Sequence, residues 1–149
     1  MKITEALVAE HTIFLGVFDQ IERALPSLTT PVEVMTMARI VEGLLEGHAK
    51  TETDLAYLAL DHVQEQNGEL KHMNQDHHEI DDRLHKVQTA STCAEARRLL
   101  KAAITATRDH FRGEERSVFP LLEKALQEET LTALGQTWMQ RKPTLPSRT

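Results

Sequence analysis

Histidine and glutamate recur in this chain at a spacing that suits a metal ion. Eight histidines stand among 149 residues, and two of them have a glutamate four residues on, in His48-Ala-Lys-Thr-Glu52 and His110-Phe-Arg-Gly-Glu114. Residues i and i+4 lie on one face of an α-helix. Each pair therefore turns an imidazole nitrogen and a carboxylate oxygen in the same direction, and both are ligands for first-row transition metals. A lone H-x-x-x-E is weak evidence, since about one is expected by chance in a chain this rich in glutamate. The phase carries more weight. Both pairs fall on the apolar stripe of their helices, and two further histidines, His11 and His77, do the same.

The arrangement also repeats. Glu10-His11 precedes His48-x-x-x-Glu52, and Asp76-His77 precedes His110-x-x-x-Glu114, with Tyr57 matching Phe119 and Leu60 matching Leu122 beyond the glutamates. Two helical hairpins facing each other with pseudo-twofold symmetry would bring together four imidazoles and two carboxylates. Burying such groups is unfavourable unless they pair with one another or ligate a metal. The first reading is a set of neutral imidazoles bonded to carboxylates. The second, favoured because four helices contribute in register, is a site for two equivalent metal ions formed by His11, His48, Glu52, His77, His110 and Glu114.

Helices must position these residues. Proline and glycine are scarce, no stretch alternates with period two, and the chain reads as all-α. The first helix spans Thr4 to Leu25, with Leu7, His11, Phe14, Phe18, Ile21 and Leu25 inward. The second starts at an N-cap Thr30, with Pro31 at the first helical position and Glu33 closing a capping box. Its inner face is Val34, Met37, Val41, Leu44, His48, Glu52, Leu55 and Ala59, and it stops before the turn signal Asn67-Gly68. The third covers Glu69 to Gln88, with Met73, His77, Ile80, Leu84 and Val87 on one stripe. Thr92 and Glu95 form a capping box for the fourth, which turns Leu99, Ala103, Ala106, His110, Glu114 and Val118 inward and is broken or kinked at Pro120. A short helix from Glu129 to Gln140 carries Trp138 as a lid on one end of the core. The fold expected is an up-down-up-down four-helix bundle with a short C-terminal helix, forming one domain over residues 1–140 with a tail at 141–149.

Composition excludes several functions. The formal charge is −6, which repels phosphate backbones and argues against nucleic acid. The single cysteine, Cys93, rules out an internal disulfide and any cysteine cage, and is compatible with a reducing, cytoplasmic setting. Glu5 and Glu10 interrupt the apolar stretch that a signal peptide would need, and no apolar run is long enough to span a membrane. The oligomeric state expected is a monomer or small homo-oligomer.

Over residues 5 to 125 the sequence resembles the hemerythrin-like family, the HHE cation-binding domains. That family's pattern is a histidine on helix 1, H-x-x-x-E on helix 2, a histidine on helix 3 and H-x-x-x-E on helix 4, often followed by Glu-Glu and Phe-Pro. Here it reads His11, His48/Glu52, His77 and His110/Glu114, with Glu115, Phe119 and Pro120 following. The resemblance implies a non-haem di-iron centre, with Glu52 and Glu114 bridging two iron ions, an oxo or hydroxo bridge between them, and the histidines as terminal ligands. Zinc or another divalent metal suits the same donors. Oxygen-carrying hemerythrins have two histidines a turn apart on helix 3 and H-x-x-x-x-D on helix 4. This chain instead has Met73 before His77 and Asp81 after it, and Glu114 in place of the aspartate. It is in this respect more similar to iron sensors and to di-iron repair proteins.

With His11 and His48 on one iron and His77 and His110 on the other, each iron would keep an open position. The expected ligand is a small diatomic gas or peroxide: oxygen, nitric oxide or hydrogen peroxide. The protein would then be a sensor, scavenger or store. The alternatives are an enzyme that decomposes peroxide or repairs iron centres, and a metal-buffering or structural protein. Asp81 and His78 are candidates for a sixth ligand. For Phe14, Phe18 and Met73 the alternatives are an apolar lining of the site and ordinary core packing, of which packing is favoured. His62, His72, His78 and His85 read as surface residues, Tyr57 as packing and Cys93 as a bystander. Glu115, about 100° round the helix from Glu114, reads as a carboxylate outside the ligand set.

Overall fold

The computed structural model describes residues 1–63 and 68–141. Among them it is helical throughout, with no strand, and five helices account for the chain. Helix α1 is Ile3–Ala24, closed by a 3₁₀ turn Leu25–Ser27 that takes up Pro26. Helix α2 begins at Pro31, and its capping box is complete: Thr30 accepts from the Glu33 N–H while the Glu33 carboxylate receives the Thr30 N–H. It runs Pro31–Thr51 and then passes without a break through a π-helical turn, Glu52–Tyr57, into Leu58–Val63. Helix α3 is Gly68–Val87. Gly68 is helical, and its expected turn partner Asn67 lies outside the described residues.

Helix α4 runs Cys93–Gly113, then a second π-helical turn Glu114–Val118, then Phe119–Ala125. Thr92 accepts from the Glu95 N–H, but the Glu95 carboxylate bonds the Ser91 N–H, so the expected box closes one residue early. Pro120 does not break the helix. The π turn before it widens the coil where the proline ring would otherwise clash with a carbonyl one turn back. Helix α5 is Glu128–Gln140. Of the expected tail, only Arg141 lies within the described residues.

Helix α2 packs on α3 and α4, α3 packs on α4, and α1 packs on α2, α4 and α5. The apolar residues form two clusters with a polar layer between them. The first cluster contains Phe14, Phe18, Val41, Leu45, Ile80, Leu84, Leu100, Ile104 and Phe111. The second contains Ile3, Leu7, Leu55, Tyr57, Leu60, Leu70, Met73, Val118, Phe119 and Leu122, with Trp138 of α5 packed against it. Along α1 the chain passes from the second cluster to the first, along α2 back again, and likewise along α3 and α4. On α1, α2 and α3 a histidine stands at the crossing, and on α4 Glu114 does, one turn after His110.

The inward faces are rotated slightly from the periodic reading. In α2, Ala38 and Leu45 are fully packed while Met37 and Leu44 flank them; in α4, Leu100 and Ile104 replace Leu99 and Ala106 at the centre. The π turn after Glu52 adds a residue to the coil, so that Leu55, Ala56 and Tyr57 are all buried in succession and Leu60, not Ala59, continues the stripe.

Candidate metal centre

The two π-helical turns begin at Glu52 and Glu114, the two glutamates of the repeat. Leu58 N–H bonds the Thr53 carbonyl and Phe119 N–H bonds the Glu114 carbonyl, each reaching back five residues. Local widening of this kind is frequent at functional sites. Here it sits at equivalent points of the two halves, so the repeat in sequence is also a repeat in backbone.

The structure brings all six predicted residues into the polar layer. His11, Glu52 and Glu114 have no exposed surface, His48 and His110 are buried, and the His77 side chain is 14% exposed. They form two sets. One nitrogen or oxygen from each of His11, His48, Glu52 and Glu114 lies within 4.8 Å of the others, and the same holds for Glu52, His77, His110 and Glu114. The two glutamates belong to both sets. Glu52 Oε1 is 3.1 Å from His48 Nε2 and 3.5 Å from His11 Nε2, while its Oε2 is 3.4 Å from His77 Nε2. Glu114 Oε2 is 3.5 Å from both His11 Nε2 and His110 Nε2.

The outer nitrogens are held by carboxylates. His11 Nδ1 donates to Glu115 at 2.8 Å, His48 Nδ1 to Glu10 at 3.0 Å, and His110 Nδ1 to Asp76 at 3.4 Å. Such bonds fix the tautomer and leave Nε2 with its lone pair turned inward, the arrangement that carboxylates impose on metal-binding histidines. The acidic residue before each histidine of α1 and α3 therefore serves the next helix: Glu10 orients His48, and Asp76 orients His110. The repeat Glu10-His11 and Asp76-His77 is visible in the sequence, but this cross-helix role is not. Glu115 lies outside the two ligand sets, as expected, and anchors His11.

A metal fits this donor set. Five buried atoms make no hydrogen bond: both carboxylate oxygens of Glu52, Glu114 Oε2, and the Nε2 atoms of His77 and His110. Glu52 Oε1 is close to His48 Nε2 but not aligned with it for a bond. All five atoms belong to the predicted set and point into the layer. Orphaned polar atoms are rare in a packed interior and each is destabilising. The Nε2 atoms of His11 and His48 are 3.0 Å apart, and two lone pairs at that distance need a proton or a cation between them.

The protein's own charges are strongly coupled. Burial opposes protonation of His48, but Glu52 beside it and the bond to Glu10 prevail and hold it protonated up to about 10. Burial would raise the Glu52 carboxyl, but the His48 charge and the nearby imidazoles of His11 and His77 hold it well below the usual range. Glu114, pushed up by burial and by Glu52, favours its neutral form. His110 is pressed down to about 4 by burial and by His77.

Aromatic rings frame the layer. Phe111 stacks on His11 at 3.8 Å between centroids, Phe14 meets His48 edge-on at 5.2 Å, Tyr57 stacks on His77 at 5.9 Å and Phe119 on His11 at 5.6 Å. One reading changes here. Tyr57 does more than pack, since its hydroxyl donates to Glu114 Oε1. Phe14, Phe18 and Met73 are core residues; Met73 also lines an open cavity with Asp76 and His110, and none of the three lines the smaller cavity beside His48. That cavity, about 20 Å³, is bounded by His48, His77 and His110, by Leu45, Ala49, Ile80 and Phe111, and by Thr107 and Asp81. Phe111 follows His110 directly in sequence, but its place against His11 depends on how α4 is rotated towards α1. Asp81 and His78 are exposed and belong to neither donor set.

Asp76 receives His110 as well as standing 3.8 Å from His72, so the surface pair expected for His72 reaches the site. His85 is exposed and pairs with Glu42, and His62 is exposed. Cys93 is half-buried, its thiol against the Leu28 carbonyl and the Arg97 guanidinium. No helix of the described residues is long and apolar enough to cross a membrane.

No curated protein and no solved structure matches the chain. The family model described as the hemerythrin HHE cation-binding domain matches residues 2–122, which takes in all six residues of the polar layer. The chain therefore belongs to the hemerythrin HHE cation-binding domain family.

Proposed function

We propose that this domain is an up-down-up-down four-helix bundle that holds two iron ions and binds or reacts with a small neutral oxidant or diatomic gas. The alternating passage of α1 to α4 between the two apolar clusters supports the topology. One observation carries the functional reading: two four-residue donor sets share Glu52 and Glu114, with every donor atom in each set within 4.8 Å of the rest. His11 and His48 would hold one ion, His77 and His110 the other, and the two glutamates would lie between them. When bound, iron supplies redox chemistry and open coordination positions for a small ligand.

The chain's own residues define the surroundings. Glu10, Asp76 and Glu115 orient three of the histidines and, with Glu52 and Glu114, place five carboxylates around the ions. That charge favours a pair of multivalent cations and disfavours anionic ligands. Leu45, Ile80 and Phe111 give the cavity apolar walls, and its volume of about 20 Å³ admits one molecule the size of water. Thr107 donates its hydroxyl proton to the Ala103 carbonyl at 2.9 Å, so it offers a ligand only lone pairs. A molecule in the cavity would touch His48 from one donor set and His77 and His110 from the other. The family and the acidic, cysteine-poor composition support a cytoplasmic sensor, scavenger or store.

The test is to load the protein with ferrous ions without oxygen, then admit oxygen, nitric oxide and hydrogen peroxide separately. A reversible change in the near-ultraviolet and visible spectrum with oxygen or nitric oxide supports the proposal. Sustained oxygen evolution from peroxide identifies the enzyme that is the alternative reading. Bound metal with no spectral response to any of the three would leave metal buffering as the function and overturn the proposal.

A further inference from the structure

Among the positions at which the two halves of the centre differ, one pair bears on a shared glutamate. Tyr57 ends the first π turn and Phe119 follows the second, and each ring stacks on a histidine, Tyr57 on His77 and Phe119 on His11. Only Tyr57 carries a hydroxyl, and that hydroxyl donates to Glu114 Oε1. The consequence shows in the orphaned atoms. Glu52 has both oxygens free of hydrogen bonds, whereas Glu114 has only Oε2.

We infer that Tyr57 is a positioning residue that limits Glu114 to a single metal-binding oxygen, so that the two metal positions are unequal and only Glu52 spans both with one oxygen each. This rests on the two-metal reading above. The distances agree with it. Glu52 turns Oε1 to His11 and His48 and Oε2 to His77, one oxygen per set. Glu114 turns a single oxygen, Oε2, to both sets, 3.5 Å from His11 and 3.5 Å from His110. The first ion to bind can take that oxygen, and the second must share it. Tyr57 is buried, so water does not compete for the bond.

The test compares wild type with Tyr57→Phe, which keeps the ring and its stacking. Chelator-stripped protein is titrated with Zn²⁺ by calorimetry, and carboxyl-¹³C-glutamate protein, with and without Zn²⁺, is followed by infrared spectroscopy. Wild type should take up two ions in separate steps, the second weaker by roughly tenfold or more, the size of effect an outer hydrogen bond exerts on metal affinity. It should also show the widely split pair of carboxylate bands of a one-oxygen ligand. In Tyr57→Phe, Glu114 regains its second oxygen, so the two steps should converge and those bands should give way to the narrower splitting of a bridging carboxylate.

Steps and bands unchanged by the substitution would overturn the inference and leave the two-metal reading intact. So would a parallel weakening of both steps with unchanged bands, which is the mark of a merely structural tyrosine. Failure of wild type to bind Zn²⁺ at two sites would instead overturn the two-metal reading, and the inference with it.

Discussion

Replacing Glu52 by glutamine tests the shared carboxylate. Glu52 has no exposed surface, and its two oxygens serve different donor sets, one 3.1 Å from His48 Nε2 and the other 3.4 Å from His77 Nε2. Glutamine keeps the shape but removes the charge and turns one of the two oxygens into an NH₂ group, so one metal position loses its ligand and the other keeps only a neutral amide oxygen. An outer-shell change already weakens a metal roughly 10- to 100-fold, and loss of a direct ligand should reach at least the upper figure. With metal at about a thousand times its dissociation constant, a site stabilises the fold by about 4 kcal/mol. A 100-fold loss removes about 2.7 kcal/mol of that. In a chain of this length each kcal/mol moves the melting temperature by about 2–4 °C, so the metal-induced rise should fall by about 5–11 °C per site. The assay is thermal unfolding by circular dichroism with and without Zn²⁺, for wild type, Glu52→Gln and the surface control Glu42→Gln. Taking the difference between loaded and unloaded melts cancels the effect of the substitution on the unloaded fold, where His48 loses its ion-pair partner. A metal-induced rise in Glu52→Gln equal to that of wild type would refute the reasoning.

The histidine-orienting carboxylates give a second test: Glu10→Gln and Asp76→Asn should each weaken metal binding about 10- to 100-fold without abolishing it, measured by competition with a coloured chelator. Metal uptake should release protons, because His48 stays protonated up to about 10 and Glu114 is raised, while both must be deprotonated to ligate; affinity measured in buffered titrations should therefore increase with pH. In chelator-treated protein the sign reverses. The raised His48 stabilises the fold fully below about 6.5, and that contribution is lost as pH rises through about 10, so melting temperature should fall over that window. Finally, Gly135→Ala should lower the melting temperature, because a methyl group there would stand 2.2 Å from the Met1 carbonyl oxygen where α5 crosses the chain's N-terminal residues.

What could be read from the sequence follows from what a helix repeats. The 3.6-residue period places His48 with Glu52 and His110 with Glu114 on one face, and the apolar neighbours of those pairs show that the face turns inward. Thr30-Pro31 and Thr92 mark helix starts because their side chains answer the unpaired N–H groups of a first turn. The π turns at Glu52 and Glu114 were not legible. They follow from how the two glutamates are accommodated in a packed layer, and they shift the stripe so that Leu60 replaces Ala59. The cross-helix bonds were hidden for a similar reason. Glu10 to His48, Asp76 to His110 and Tyr57 to Glu114 join residues whose approach depends on the rotation and offset of whole helices, and no local pattern encodes those. The internal repeat hinted at one of them, since an acidic residue precedes the histidine in both hairpins. The same repeat, compared position by position, sets Tyr57 against Phe119 and so exposes a hydroxyl that breaks the symmetry at Glu114.

The most direct measurement is elemental analysis of protein purified from iron-replete cells without added metal, alongside native mass spectrometry of the same sample. The account predicts about two iron ions per chain, both lost when Glu52 and Glu114 are replaced together by glutamine. A chain that carries no metal, or that keeps its full complement after both glutamates are replaced, would contradict it.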